Sequence, residues 1–317
     1  ATLPDRPAQA APTATGRPDW ALPVPSAGWL VAALLVVMPA IAGEFVLFQI
    51  FGWALILGMI ALSLMFLAGY GGMVSLVQMS VAGLAGYMVA ILGESAITTI
   101  SLGWPWWLAV PVAIAVAVLF GAVSGALAVR TTGIYTIMIT LAIASAFFYF
   151  TRQNYVLFNG FSGFNGVAPP ILLGIDWRQP TPFYYLTLAC AAACYAAVVY
   201  VARSPFGLAL QGVRDNPRRM AALGFNVTAH RIAAWTLAAL IAAIGGVLLV
   251  WLNGQISPGT AGIGPVIDIL VIAVVGGIGR PVGPFIGAFI YVILRTFALD
   301  ILVGLGLDGA RFQLLIG

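Results

Sequence analysis

The sequence predicts an all-α fold, a polytopic transmembrane bundle of about eight to ten helices. The 317-residue chain is 62% hydrophobic and only 7% charged, whereas about 25% of the residues in soluble domains are charged. It also contains long stretches without any formal charge, each of which can hold one or two helices of the ~20 residues that a bilayer requires. These stretches are Phe45–Gly93, Ser95–Val129, Thr131–Thr151, Gln179–Ala202 and Ile232–Ile267.

Apolar segments separated by polar loops predict where the chain crosses the membrane. Residues 1–27 are expected to form a disordered cytoplasmic tail, because they are rich in Ala, Pro and Thr and lack the apolar core of a signal peptide. Residues 28–317 are expected to form the membrane domain, and the apolar run Phe312–Ile316 indicates that a further helix begins there. The predicted spans are Gly28–Ala42, Phe45–Ala68, Met73–Leu92, Trp106–Val129, Ile134–Phe150, Phe183–Ala202, Ile232–Trp251, Pro265–Val275 and Phe285–Val303.

The distribution of arginine indicates how the chain is inserted, since short cytoplasmic loops carry an excess of basic residues. If the polar loop 203–231 is cytoplasmic, alternate crossings place nine arginines on that side and three outside. We therefore expect a cytoplasmic amino terminus. The nine are Arg6, Arg17, Arg130, Arg203, Arg214, Arg218, Arg219, Arg231 and Arg280, and the three are Arg152, Arg178 and Arg311.

The residue inventory excludes several kinds of chemistry. All thirteen basic residues are arginine, and without lysine neither a GxxxxGK phosphate-binding loop nor a Schiff-base or pyridoxal site can form. The single histidine, His230, has no partner ligands nearby, so we expect an interfacial residue and no metal. Cys190 and Cys194 share one helix face and are expected to pack as small residues. No cofactor, metal or nucleic acid is expected.

A glycine cluster interrupts the longest uncharged stretch. Non-helical backbone at membrane depth is tolerated only where protein or a water-filled cavity surrounds it, so we expect a broken helix near Gly69–Gly72. The polar residues that follow add side-chain donors and acceptors along which a zwitterion could pass. The candidate pathway residues are Gly69, Tyr70, Gly71, Gly72, Ser75 and Gln78.

Two features predict how the helices pack. Asp268 and Arg295 lie at similar depths in consecutive spans, about 18 and 22 Å from the middle of the connecting turn near Arg280, so we predict an intramembrane ion pair. A fixed helix clamp is the favoured role for this pair, and a substrate or proton role is the alternative. Glycines four residues apart also predict close helix approaches. They are Gly121 with Gly125 and Gly283 with Gly287.

The polar loop 203–231 contains a short helix with clear end signals. Asn216 caps backbone N–H groups and Pro217 favours the first helical position, while Gly224 ends the helix. The predicted helix Pro217–Leu223 presents arginines beside Met220 and Leu223 and is suited to dock into a groove of another protein. The alternative is a connecting loop whose arginines bind lipid headgroups.

Several segments resemble, in the same order along the chain, the permeases of branched-chain amino acid importers of the ATP-binding-cassette (ABC) class. The likeness covers about Gly52–Thr296, and such an ordered set is far more specific than any one motif. The segments are Leu67–Leu76, Gly133–Tyr135 with Thr140–Ala142, Ser204–Leu210, Arg214–Pro217, Ala222–Val227, and Gly276–Gly279 with Val282–Pro284.

The resemblance implies the M-type permease subunit, a non-catalytic multi-pass protein of the bacterial cytoplasmic membrane. It implies a heterodimer with a second permease subunit, two cytoplasmic ATPase subunits and an extracytoplasmic solute-binding protein. In that family the loop helix couples to the ATPase, and Ala221 stands where the family often has an acidic residue. Carried over, the coupling residues are Asn216, Pro217, Arg218, Arg219, Met220, Ala221, Leu223 and Gly224.

The predicted function is therefore that of a permease moving branched-chain or related amino acids by alternating access. One alternative is an ion-coupled secondary transporter, which usually needs ionisable groups or carbonyl-rich ion sites at mid-membrane. Another is an ABC permease for urea, amides or aromatic acids, because the resemblance does not fix the solute. An intramembrane enzyme would need a nucleophile and a base within reach of each other, and no such set is visible.

Overall fold

The computed structural model describes residues 34–40, 42–131, 133–172 and 175–304. Within these residues, five helices are long and apolar enough to cross a membrane, and three shorter apolar helical stretches accompany them, Gln78–Leu92, Ile263–Gly276 and Gly283–Phe297. The all-α transmembrane bundle predicted from the sequence is confirmed. The predicted tail 1–27 and the run Phe312–Ile316 lie outside the described residues.

Helices make up most of the described chain. Residues Val46–Gly52 and Phe66–Tyr70, at the two ends of the second helix, are π-helical. The helices are α1 (34–40), α2 (Val46–Tyr70), α3 (Gln78–Leu92), α4 (Trp106–Ala128), α5 (Ile134–Gln153), α6 (Tyr155–Phe158), α7 (Pro180–Arg203), α8 (Pro205–Asp215), α9 (Pro217–Ala222), α10 (Val227–Asn253), α11 (Ile263–Gly276) and α12 (Gly283–Gly304).

Four two-residue strands occur in the loops. Strand β1 (Phe164–Asn165) pairs antiparallel with β4 (Gln255–Ile256), and β2 (Ile171–Leu172) pairs antiparallel with β3 (Ile175–Asp176). The pair β1–β4 attaches the loop after α6 to the residues that follow the carboxyl end of α10. These pairs are too short to form a layer of their own.

Helix α2 is the centre of the bundle. Its most apolar window is 89% buried, and α7, α10, α11 and α12 pack around it. The corresponding windows of α4 and α7 are only 33% and 28% buried, and α4 exposes Val116, Leu119 and Val123. Because these exposed side chains are apolar, the outer helices have the surface expected next to lipid.

Small residues bring the remaining helices together. Gly246 of α10 lies against the Ala82 backbone of α3, and Gly121 of α4 lies against Ala239 of α10. A Cβ at either glycine would collide with these neighbours. The close approaches predicted for Gly121 with Gly125 and for Gly283 with Gly287 are confirmed, since each of these glycines contacts the facing helix directly.

The two ends of the bundle have different structures. The loop end, as we call it, holds α8, α9, the carboxyl end of α2 and the turn 277–282. The hairpin end holds α6 and the four strands. Arg214 and Arg280 lie at the loop end, whereas Arg152 and Arg178 lie at the hairpin end. This is the grouping that the arginine distribution predicted for these four residues.

Replacing Gly246 with valine is expected to push α10 away from α3. Overpacking of this kind costs about 1–3 kcal/mol, so the midpoint of heat-induced unfolding of the purified protein in detergent should fall. Gly264→Ala is the matched control, because nothing lies within 4 Å of a Cβ added there. It should leave the midpoint unchanged or raise it slightly, since alanine favours helix. A wild-type midpoint for Gly246→Val would contradict the close packing.

Candidate functional site

Helix α9 forms at the predicted place in the loop. The Asn216 side chain accepts a hydrogen bond from the Arg219 N–H at 3.0 Å, and Pro217 is the first helical residue. The helix ends at Ala222, one residue earlier than predicted, and Gly224 adopts a φ of +90° that glycine tolerates. No residue of α9 is buried, so the whole helix is presented at the loop end.

The two apolar residues expected to protrude from this helix behave differently. Met220 packs against Gly212 of α8 and is half-buried. Leu223 is 65% exposed, and Arg218 and Arg219 are exposed as well. The outward surface of α9 is therefore one leucine flanked by arginines, with Met220 holding the helix on its own chain.

Helix α8 precedes α9 and was not predicted as a separate element. The Ser204 hydroxyl accepts a hydrogen bond from the Gly207 N–H at 3.3 Å, and Pro205 starts the helix. Leu210 and Val213 are buried on its inner face. The Ser204-Pro205 pair was the available signal, because serine at the cap and proline at the first position mark a helix start.

An aromatic contact fixes the position of the loop. The His230 ring stacks on Phe206 of α8 at 5.5 Å between centroids and meets Phe225 edge-on at 5.7 Å. Its Nδ1 lies 3.0 Å from the Asn226 carbonyl oxygen. His230 thus joins α8 to the start of α10 at the loop end, and its position at the membrane interface stays a prediction.

Arg214 connects α8 to the glycine cluster. Its Nη1 donates to the Gly69 carbonyl oxygen at 2.5 Å, and its Nε donates to Asp215 Oδ1 at 2.8 Å. The aliphatic part of Arg214 lies on Gly72, which has a φ of +65° and leaves no room for a Cβ. A cation at the carboxyl end of a helix satisfies its terminal carbonyls and favours the helix dipole.

The turn between α11 and α12 closes the other side of the cluster. The Ile278 carbonyl oxygen lies so close to Gly69 that a Cβ there would meet it at 2.5 Å. The cluster is therefore held between Arg214 of α8 and the turn 277–282. Sequence reasoning missed these contacts, because they join parts of the chain that are more than a hundred residues apart.

The helix break predicted at the glycine cluster is present, but its shape differs from the expectation. The third span does not begin at Met73, since α3 starts only at Gln78. We call the non-helical residues Gly72–Val77 the re-entrant segment. The Ser63 hydroxyl donates to Gln78 Oε1 at 3.2 Å, and Ser63 lies about 10 Å before the end of α2 along its axis. The segment therefore runs back into the bundle before α3 begins.

Protein groups surround the polar side chains of this segment and of Gln78, the first residue of α3. Ser75 and Gln78 are buried, and the Gln78 amide donates to the Ser75 hydroxyl at 3.4 Å. The Leu76 N–H donates to Thr140 Oγ1 of α5 at 3.2 Å. Ser75 and Gln78 thus line the interior of this chain in the conformation described. Their role in a solute pathway, like that of Gly69–Gly72, stays a prediction.

The two charges expected to pair lie in neighbouring helices α11 and α12. Among the described residues the structure records no ion pair within 4 Å between Asp268 and Arg295. Instead the hydroxyl of Tyr291 lies beside both charged groups. Asp268 is half-buried and Arg295 is exposed. Tyr291 lies beside both charges, and the direct contact that the sequence suggested is not recorded between these two described residues.

The other chemical groups of interest are isolated. Cys190 and Cys194 are free thiols in α7. In the described ranges no three His, Cys, Asp or Glu side chains come together in a way that could hold a metal ion. The candidate functional features are therefore the loop helices, the glycine cluster and the charged groups of α11 and α12.

A family comparison agrees with this geometry. The family described as the permease component of the branched-chain amino acid transport system matches residues 46–304, which include the glycine cluster, the loop helices and both charged helices. The chain belongs to this family. The shared region therefore contains each feature described in this subsection.

Curated relatives point the same way. The high-affinity branched-chain amino acid transport system permease protein LivM of Salmonella typhimurium is 22% identical over 76% of this chain and 59% of its own length. The LivM protein of Escherichia coli gives the same identity and coverage. The ribose import permease protein RbsC of Haemophilus influenzae is 24% identical over 68% of each chain. The chain thus spans about 59% of the LivM proteins. No solved structure matches it.

Arg214→Ala is expected to loosen the carboxyl end of α2. A hydrogen bond from a charged donor contributes about 1.5–3 kcal/mol, and less here because 39% of the side chain is exposed. We expect amide hydrogen exchange over residues 70–73 to accelerate by about fivefold in mass-spectrometric measurements. Arg130→Ala removes another exposed arginine and should not change exchange there. Unchanged exchange in Arg214→Ala would show that this contact does not hold the cluster.

Proposed function

We propose that this chain is the permease subunit of an ATP-driven importer for branched-chain or related amino acids in a bacterial cytoplasmic membrane. Its family membership and the two LivM relatives support this proposal. The bundle of apolar helices supports a multi-pass membrane location. The ribose relative supports the broader class of import permeases, though it carries a different solute in its name.

The proposed assembly contains four further kinds of contact. A second permease subunit pairs with this chain, two ATPase subunits bind at the loop end, a solute-binding protein docks at the hairpin end, and lipid covers the outer helices. The absence of lysine supports a separate ATPase, because a GxxxxGK loop cannot form in this chain. The chain by itself is then inactive in transport.

The observation that carries the proposal is the path from α9 to α2. The exposed Leu223, with Arg218 and Arg219 beside it, enters a groove of an ATPase subunit. Met220 packs α9 against α8, so the two helices move together. Arg214 then transmits the movement to the Gly69 carbonyl oxygen, where the buried helix α2 ends. ATPase closure is thereby converted into displacement of the central helix.

The re-entrant segment extends this path into the membrane. It begins at Gly72, the Leu76 N–H in it is hydrogen-bonded to Thr140 of α5, and Gln78, the first residue of α3 after it, is hydrogen-bonded to Ser63 of α2. A shift at the end of α2 therefore also shifts the start of α3. In alternating access, this joint movement opens the solute path at one face of the membrane while it closes the other.

Leu223→Asp is expected to break the contact with the ATPase. A carboxylate cannot enter an apolar groove without losing its hydration, so ATPase subunits should no longer copurify with the tagged permease. Uptake of radiolabelled leucine into vesicles containing the complete importer should fall by about tenfold or more. Expression and membrane insertion should be normal, because Leu223 is exposed.

Two control variants isolate the effect. Leu223→Met keeps an apolar side chain of similar volume and should copurify normally. Thr228→Asp places the same charge in the first turn of α10, at an exposed site where a carboxylate is favourable, and should also behave as wild type. Normal copurification and uptake in Leu223→Asp would reject α9 as the ATPase contact.

A further inference from the structure

A polar groove opens on the surface of the bundle between α2 and α12. Its volume is about 280 Å³, close to the lower end of the ~300–1,000 Å³ typical of small-molecule sites. The groove is therefore of a size suited to a single amino acid. Its lining combines polar and apolar side chains, namely Gln49, Trp53, Leu57, Tyr291, Val292, Arg295 and Thr296.

The charged residues of this region lie near the middle of the membrane. Counted along the helices from the turn 277–282, Asp268 and Tyr291 are about 12 Å from the loop end and Arg295 is about 18 Å from it. The hydrocarbon core of a bilayer is about 30 Å thick. With the turn 277–282 at one edge of this core, Asp268 and Arg295 each lie about 3 Å from the midplane, on opposite sides of it, and the Tyr291 hydroxyl lies beside both.

Contact with lipid is energetically unfavourable for this surface. Arg295, Thr296 and Gln49 are exposed, and a charged group in contact with acyl chains at mid-depth is costly. The exposed faces of α4 and α7 provide the contrast, since α4 and α7 contain no charged residue before Arg203 at the end of α7. The α2–α12 groove must therefore face water or another protein, unlike the lipid-facing helices.

We propose that this groove binds a zwitterionic amino acid with an apolar side chain during translocation, and that the second permease subunit completes the site. The inference rests on the proposed function and adds the residues that recognise the solute. The Arg295 guanidinium binds the α-carboxylate through charge-assisted hydrogen bonds. The Asp268 carboxylate is not among the lining residues but lies beside Tyr291, which is, and supplies the negative charge that attracts the ammonium group.

The apolar part of the lining fits the rest of such a solute. Trp53, Leu57 and Val292 contribute hydrocarbon surface beside the polar groups, as expected for a site that holds a branched aliphatic side chain. A fixed helix clamp explains the arrangement less well. In a clamp the two charges contact each other and are shielded, whereas here no ion pair within 4 Å joins Asp268 and Arg295, and Arg295 is exposed.

Transport by the complete importer in proteoliposomes tests the proposal, with leucine as the probe. Arg295→Gln and Asp268→Asn should each lower ATP-dependent leucine uptake by about tenfold or more, the loss expected of one charge-assisted hydrogen bond. Arg295→Lys, which keeps the charge, should retain more uptake than Arg295→Gln. ATP hydrolysis stimulated by the binding protein should stay within about twofold of wild type, because α9 is unchanged. Arg130→Gln is the control and should transport normally.

Thiol labelling provides a readout that is independent of activity. In a chain with Cys190→Ala and Cys194→Ala, Thr296→Cys should react with a membrane-impermeant thiol reagent, and leucine should slow the reaction. Val123→Cys on the exposed face of α4 should be unreactive, because the thiolate that reacts does not form in lipid. Loss of labelling at Thr296→Cys in the assembled complex would overturn the proposal.

The two proposals fail in different ways. If the wild-type complex shows no ATP-dependent uptake of leucine or a related amino acid, both the proposed function and the groove assignment are rejected. If wild type transports leucine and Arg295→Gln transports it equally well, only the groove assignment falls. A parallel loss of uptake and stimulated ATP hydrolysis in Arg295→Gln would assign Arg295 to assembly or coupling and would also overturn solute binding.

Discussion

No water is available to the backbone inside the bilayer, so each peptide group there needs a partner within the protein. Three N–H groups of the re-entrant segment have such partners: that of Met73 donates to the Leu67 carbonyl oxygen at 3.0 Å, that of Leu76 to Thr140, and that of Val77 to the Ser75 hydroxyl. Such a segment can exist only where helices enclose it. The central position of α2 and the close packing of α3 against α10 provide that enclosure.

At the loop end, polar contacts instead of enclosing helices hold the chain in place. The carboxyl end of α2 is held by Arg214 on one side and by the Ile278 carbonyl oxygen on the other. Neither contact belongs to the apolar core, and both involve groups that a small displacement of α8 or of the turn 277–282 would move. The rigid part of the protein thus ends in a polar junction, which is where a neighbouring subunit can act on it.

Local signals in the sequence were sufficient for the fold class and for α9. Uncharged runs predicted the bundle, and the Asn216-Pro217 pair with Gly224 predicted the loop helix to within one residue. The start of α3 was missed because Met73–Val77 is as apolar as a helix, and only enclosure by distant helices decides its conformation. The Arg214–Gly69 contact joins residues 145 positions apart. Whether Asp268 and Arg295 meet likewise depends on side-chain geometry that helix spacing does not specify, and the structure records Tyr291 beside both.

The short length of α3 has a consequence for biogenesis. Its 15 residues extend about 22 Å, less than the thickness of the hydrocarbon core, and its first N–H groups lie deep in the bundle. Inserted alone, this segment would leave those groups facing acyl chains. Its principal neighbour α10 is synthesised well over a hundred residues later. The early part of the chain therefore stays incompletely packed until the later helices have been synthesised.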